Sequence, residues 1–264
     1  MPSEFDEEIF NQQIDQIVTT TTATQADALV QGLTIYYKAA SDDINRNTRL
    51  TNVQKNAIKK LSAQHFGYIS EFNSAVGDQI KNKAKELLAE EKGYAEISAE
   101  IKGYAEDVFK GSETVTINNV GKTRTITKVG KDGTLKTIEK VIEKPYVTNV
   151  QAYSDMLART ATRTAWEQGR ASEYQRMGFT HWRYVASGDE RTRPDHMALH
   201  GQVFEYGTPE SDMAESVMHE PHCRCRQIVH FNDDELDTPQ SVYDEQKMKT
   251  GLQWDDDKGE WAFK

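Results

Sequence analysis

Residues 187–204 read SGDERTRPDHMALHGQVF, and residues 219–225 return with HEPHCRC. The first stretch crowds two histidines (His196, His200), three acids (Asp189, Glu190, Asp195) and two arginines (Arg191, Arg193) around one turn. The second brings the only two cysteines of the chain as a C-x-C pair. A bridge between Cys223 and Cys225 would strain disulfide geometry, so they are read as thiols or metal ligands. An active site, a metal staple and a hydrogen-bonded framework all remain open at this point.

TRPDHMALH reads as a short helix with Pro194 in its first turn, and HWRYVAS, QVFEY and CRCRQIVHF read as strands around it. His196 and His200 are four apart and share a helix face; Cys223 and Cys225 are two apart and share a strand face. If these elements pack together, imidazole and thiolates converge, a donor set that zinc accepts. The metal candidates are His196, Cys223 and Cys225, with Asp189, His200, His219 or His222 as the fourth. The metal-free alternative is a clasp of Asp189, Arg191, Thr192, Arg193 and His196. In it Asp189 pairs with a neighbouring arginine and accepts loop N–H bonds, and Thr192 caps the helix. A zinc hydrolase would also need a base, Glu190 or Asp195, and an open coordination place. No H-E-x-x-H, G-x-S-x-G or Walker-type loop accompanies them, so the chain is expected not to be an enzyme.

Working outward, residues 1–110 read as a helical region. Val53, Ala57, Leu61, Ile69, Phe72, Val76 and Ile80 recur at helical spacing along one stripe. An earlier helix is expected over Glu7 to Val18, ending at the β-branched TTTT run, and another from Thr24 to Ala40. KGYAE occurs at 92–96 and 102–106, read as a locally duplicated helical surface. Residues 111–146 change period: β-branched and polar residues alternate, punctuated at NNVG and GKDG, which predicts an inserted small antiparallel β meander. Its cations suit either a solvated edge ribbon or a DNA contact through Lys122, Arg124, Lys128, Lys131 and Lys136. Helical spacing resumes from Val150 to Met177 with Gly178 as a C-cap, opening a compact α+β domain over 147–231. Residues 232–264 read as an acidic tail and a loosely attached arm.

The fold class is therefore α+β. With 264 residues, a net charge of −10 and a mean hydropathy of −0.75, the sequence describes a protein with a thin core and much polar surface. No apolar run approaches the roughly 20 residues of a spanning helix, and MPSEFDEEIF is acidic where an export signal is basic and then apolar. The acidic balance argues against general coating of nucleic acid, leaving only local basic segments to meet it.

RTATRTAWEQGR at 159–170, Trp182, DERTRPDHMALHGQVF at 189–204 and PHCRC at 221–225 together resemble the phage Mu F-like head morphogenesis, or minor head, family. The resemblance covers about residues 150–230. It falls on Arg159, Thr160, Gly169, Trp182, Asp189, Arg191, Thr192, Arg193, His196, Gly201, Cys223, Arg224 and Cys225, while Ala161 stands where many relatives are expected to carry an acid. It implies a minor capsid protein of a tailed bacteriophage, made in the host cytoplasm and carried in the virion at the head interior or near the portal. Its implied partners are the portal protein, other head proteins and packaged DNA, with no membrane. The implied roles are head morphogenesis, DNA packaging or DNA ejection. The alternative is a metal-dependent nuclease or hydrolase, motivated by the His/Cys/Asp cluster beside Arg191, Arg193 and Arg224.

Overall fold

In the computed structural model, which describes residues 7–45, 49–90, 94–231 and 237–264, helix α1 (Glu7–Ile44) runs unbroken through the threonine run. The expected break does not occur. Thr19, Thr22 and Thr24 each donate their hydroxyl to the carbonyl four residues earlier, at 2.8, 2.7 and 3.0 Å, which satisfies the hydroxyls without opening the helix. Helix α2 (Asn52–Ala89) begins in a capping box. Thr51 Oγ1 accepts the Gln54 N–H at 3.2 Å while Gln54 Oε1 accepts the Thr51 N–H at 2.9 Å, satisfying two otherwise free donors. Leu61, Ile69, Phe72, Val76 and Ile80 are buried as the stripe predicts, but Val53 is 77% exposed. Gln54 and Ile58 take the inner positions at that end. Helix α3 (Tyr94–Lys110) carries the second KGYAE copy; Lys92 and Gly93 of the first lie outside the described residues.

The β insertion is two nested antiparallel pairs rather than one continuous meander. Strand β1 (Val115–Ile117) pairs with β4 (Tyr146–Thr148), and β2 (Thr123–Val129) pairs with β3 (Leu135–Val141). Both expected punctuation points turn the chain: Gly121 and Gly133 have φ of +82° and +81°, a region open to glycine at little cost. Asp132 fixes the inner turn by accepting from Thr134 N and Oγ1 at 3.1 and 2.7 Å.

Helix α4 (Val150–Arg176) leads through Gly178, in the left-handed region at φ +93°, into strand β5 (His181–Val185). Helix α5 (Pro194–Ala198) spans only five residues. Strand β6 (Val203–Glu205) and strand β7 (Arg226–Val229) pair antiparallel with opposite edges of β5, giving the order β6-β5-β7. Between them lies helix α6 (Pro209–Met218), absent from the sequence-based expectation. Thr208 caps it, accepting from Ser211 N, and Pro209 occupies its first turn, a start signal present in the sequence. Trp182, wholly buried, donates from Nε1 to Ser211 Oγ at 2.9 Å, pinning α6 to the sheet.

Residues 237–264 do not form a loose arm. Helix α7 (Gln240–Lys249) and the hairpin β8 (Leu252–Asp255) with β9 (Glu260–Phe263) close the chain, with Leu252 and Trp261 packed on the core around Trp182, Tyr184 and Leu199. The cause is a buried cation. Arg183 donates to Gly201 O, Gln240 Oε1 and Asp237 Oδ2 at 2.7, 2.8 and 2.8 Å, and its guanidinium stacks 4.7 Å from the Tyr243 ring centroid. Asn232 to Leu236, the first five residues of the acidic NDDELD run, lie outside the described residues.

Two compact units result. One comprises Met1–Thr34, Lys55–Lys122 and Ile142–Ala161; the other comprises Ile35–Gln54, Thr123–Val141 and Thr162–Lys264. The first has its core in Phe72, Val76, Ile80, Leu87, Ile97 and Tyr153, and the second holds residues 187–204 and 219–225. Among the described residues no helix is long and apolar enough to cross a membrane.

Candidate functional site

Three ligand-bearing side chains of the second unit converge. His196, Cys223 and Cys225 place one donor atom each within 4.8 Å of one another. His196 Nδ1 lies 3.3 Å from Cys223 Sγ, 3.4 Å from Cys225 Sγ and 3.1 Å from the Tyr184 hydroxyl. His196 and Cys225 are buried, and Cys223 is partly exposed. The cysteines reach this point from the loop just before β7 (Arg226–Val229), not from the strand itself.

The far side of the imidazole is polar. His196 Nε2 stands 3.3 Å from Glu220 Oε2 and 3.3 Å from Arg193 Nη1. Arg193 also donates to Glu220 at 2.7 Å and to the Pro221 carbonyl at 2.8 Å. Burial disfavours the imidazolium, but Cys223 and Glu220 outweigh it and raise the His196 pKa to about 8. The two thiols shift each other in opposite directions: the hydrogen bond from Cys223, opposed by burial and aided by Tyr184, lowers Cys225, and the same pairing together with burial raises Cys223. Such sites titrate as a set.

Asp189 sits outside this trio, and its partner is not the one expected. Its carboxylate takes the fork of Arg224, with Nη2 to Oδ1 at 2.6 Å and Nη1 on Oδ2, a bidentate geometry that Arg191 and Arg193 do not supply. It also accepts from Thr192 Oγ1 and Arg191 N, both at 3.2 Å. The Arg224 bond, followed by those of Thr192 and Arg191, holds the carboxyl far below its ordinary range despite the opposing effect of desolvation. Thr192 does not cap α5, whose cap residue Arg193 makes no side-chain cap bond; its hydroxyl instead accepts from Asp189 N at 3.2 Å.

His200 departs as well. Because α5 ends at Ala198, His200 lies beyond the helix, with Nδ1 accepting from Ala186 N at 3.0 Å and Nε2 against Gln246 Oε1 at 2.5 Å. His219 serves as C-cap residue of α6, and His222 holds the positive φ of 61° in the turn before the cysteines. Among the described residues neither joins the trio.

Three important residues escaped the sequence reading. Arg163 on α4 donates from Nη1 to the carbonyls of Met218 and Cys223 at 3.1 and 3.0 Å, and from Nη2 to that of Cys225. It thereby fixes the backbone that presents both thiols. Glu220 and Tyr184 complete the surround of His196. Arg163 stands four residues after Arg159, so the RTATRT pattern placed it on a shared face, but its targets lie 55 to 62 residues away.

Of the ribbon cations, Arg124, Lys128 and Lys136 share one face of β2–β3 with Lys140, through the registers Arg124↔Lys140 and Lys128↔Lys136. Lys128 Nζ lies 3.6 Å from Asp195 and 3.7 Å from Glu260, and Lys131 pairs with Asp256 at 2.8 Å. Lys122 precedes β2, its N–H on the Asn119 carbonyl at 3.0 Å. A concavity of about 740 Å³ opens between this ribbon and the terminal hairpin, lined in part by Lys128, Lys131, Lys136, Ile138, Trp254 and Lys258.

The model of the family described as Phage Mu protein F like protein matches residues 78–228, more than half of the chain. An uncharacterized protein of Haemophilus influenzae is 32% identical over 88 residues, 33% of this chain and 20% of that protein. The putative capsid assembly protein F of Escherichia phage Mu is 39% identical over 70 residues, 25% of this chain and 15% of that protein. The chain thus spans a fifth or less of the curated relatives it matches. No solved structure matches it.

Proposed function

We propose that this chain, which belongs to the Phage Mu protein F like family, is a minor head protein of a tailed bacteriophage acting in head morphogenesis. The observation that carries the reading is the family match over residues 78–228, which takes in the whole Asp189–Cys225 constellation. The geometry supports a structural part. Arg163, Arg193 and Arg224 are spent on carbonyls and carboxylates of the same unit, which favours a durable clasp over a turnover centre. A metal-dependent nuclease has less support, since two of its three candidate phosphate holders, Arg193 and Arg224, are engaged by Glu220 and Asp189, which leaves Arg191.

The finer reading is that the protein docks beside the portal, among other head proteins, and is retained in the virion through packaging or ejection of DNA. The ribbon cations Lys122, Arg124, Lys128, Lys131 and Lys136 are its proposed contact with packaged DNA, with Lys128 and Lys131 also paired to acids of the second unit. Sedimenting heads and procapsids from infected cells tests the proposal. The chain is expected to co-sediment with portal-containing procapsids; a free pool with none in procapsids or heads would overturn it.

A further inference from the structure

We propose that His196, Cys223 and Cys225 form a zinc site, binding one ion per chain through His196 Nδ1 and two thiolates, with a solvent oxygen in the remaining place. Three independent features of the arrangement point there. The donors are two sulfurs and an imidazole nitrogen already gathered within 4.8 Å, and soft thiolate with imidazole is the set that selects zinc over magnesium or calcium.

The second feature is the orientation of the imidazole. His196 turns Nδ1 to both sulfurs and Nε2 to the Glu220 carboxylate at 3.3 Å. A metal-bound histidine characteristically donates its other ring N–H to a carboxylate, which fixes the tautomer and strengthens the ligand. Arg193, donating to Glu220 at 2.7 Å, holds that carboxylate in place.

The third is preorganisation. Cys223 and Cys225 belong to a segment whose carbonyls are held by Arg163. Arg224, between them, is locked in the fork with Asp189, and the preceding Pro221 carbonyl is held by Arg193. The ligands therefore do not need the ion to bring them together, unlike in a small zinc finger, and binding costs little reorganisation. Nucleophilic chemistry at the same trio is disfavoured by access, because Cys225 and His196 are 2% and 3% exposed. A disulfide is disfavoured by the i, i+2 spacing.

The test uses the full chain, purified under reducing conditions from zinc-supplemented medium. Elemental analysis is expected to give about one zinc per chain, tetrahedral sites being the norm for this donor set. Cobalt replacing the zinc should show a thiolate-to-metal charge-transfer band and the visible bands of tetrahedral coordination. Cys223→Ser should abolish the charge-transfer band or reduce it by half. Glu220→Gln, which leaves all three donors in place, should keep the stoichiometry and weaken affinity roughly 10- to 100-fold. Metal-free wild-type protein that shows no cobalt bands would overturn the site, independently of any ligand variant's ability to fold. An unchanged cobalt charge-transfer band in Cys223→Ser would overturn the ligand assignment. Neither result bears on association with procapsids.

Discussion

The two units solve the problem of holding a chain together differently. The first relies on apolar stripes: Phe72, Val76, Ile80, Ala84 and Leu87 along α2 meet Ile97, Ile101 and Val108 of α3 and Tyr153 of α4, with Phe72 and Tyr153 stacked at 4.3 Å between centroids. The second has an aromatic and sulfur-rich core around Trp182, Tyr184, Phe204, Met197 and Met218. Around that core charged groups cross long stretches of chain: Arg163 to the cysteine carbonyls, Arg183 to Asp237, Arg224 to Asp189. Apolar stripes tolerate modest substitution because their attraction is non-directional. Buried charges do not, because removing one partner strands the other.

The sharpest break in this contrast should come from Arg183→Ala. Arg183 is 4% exposed, and its loss leaves the partly buried Asp237 carboxylate beside His230 without its guanidinium. A cost of about 3–5 kcal/mol is expected, as for other buried pairs broken on one side. Hydrogen exchange of the full chain should find the loss in the second unit, including α7 and the β8–β9 hairpin, with α2 and α3 spared. Equal loosening of α2 and α3 would show that the two units are one cooperative body.

A somewhat smaller effect should appear on acidification, from the first unit. His65 is fully buried with neither ring nitrogen hydrogen-bonded, and burial lowers its pKa to about 4. The folded protein keeps this ring neutral between pH 6.5 and 4 while the unfolded chain takes up a proton. Stability therefore falls as pH drops through that window and levels off below it, by on the order of 3 kcal/mol. Urea melts of wild type and His65→Leu across pH 4–7 should differ in slope, with the variant flatter; parallel profiles would refute the assignment.

The smallest effect comes from a pair of helical glycines. A Cβ at Gly169 would stand 2.4 Å from the Tyr37 carbonyl oxygen and 2.9 Å from Ala40 Cβ, whereas one at Gly32 would meet nothing within 4 Å. Gly169→Ala should cost about 1–3 kcal/mol by forcing α4 off the end of α1. Gly32→Ala should stabilise by about 0.5–1 kcal/mol through helix propensity alone. Thermal melts of the two variants, shifting in opposite directions, would sharpen the comparison.

Both hairpin turns were legible from glycine chemistry, and most of the α2 stripe from its period, although the register of its first turn was not. The convergence of His196 with Cys223 and Cys225 was also foreseen, even though the expected strand begins only at Arg226 and the shared-face argument for His200 failed with the early end of α5. The threonine run misled, because hydroxyl back-bonding inside α1 satisfies what a propensity argument counts as a liability.

Elements whose cause is local were readable from residue order alone: helical and strand periods, turn glycines, and the clustering of ligand-type residues on two short segments. Tertiary structure alone decided the partners. Asp189 had Arg191 and Arg193 two and four residues away, yet it took Arg224, 35 residues on. Arg183 reached Asp237 to dock a tail that composition described as loose. A carboxylate binds whichever guanidinium the fold presents in bidentate geometry, and presentation depends on backbone paths that no local period records.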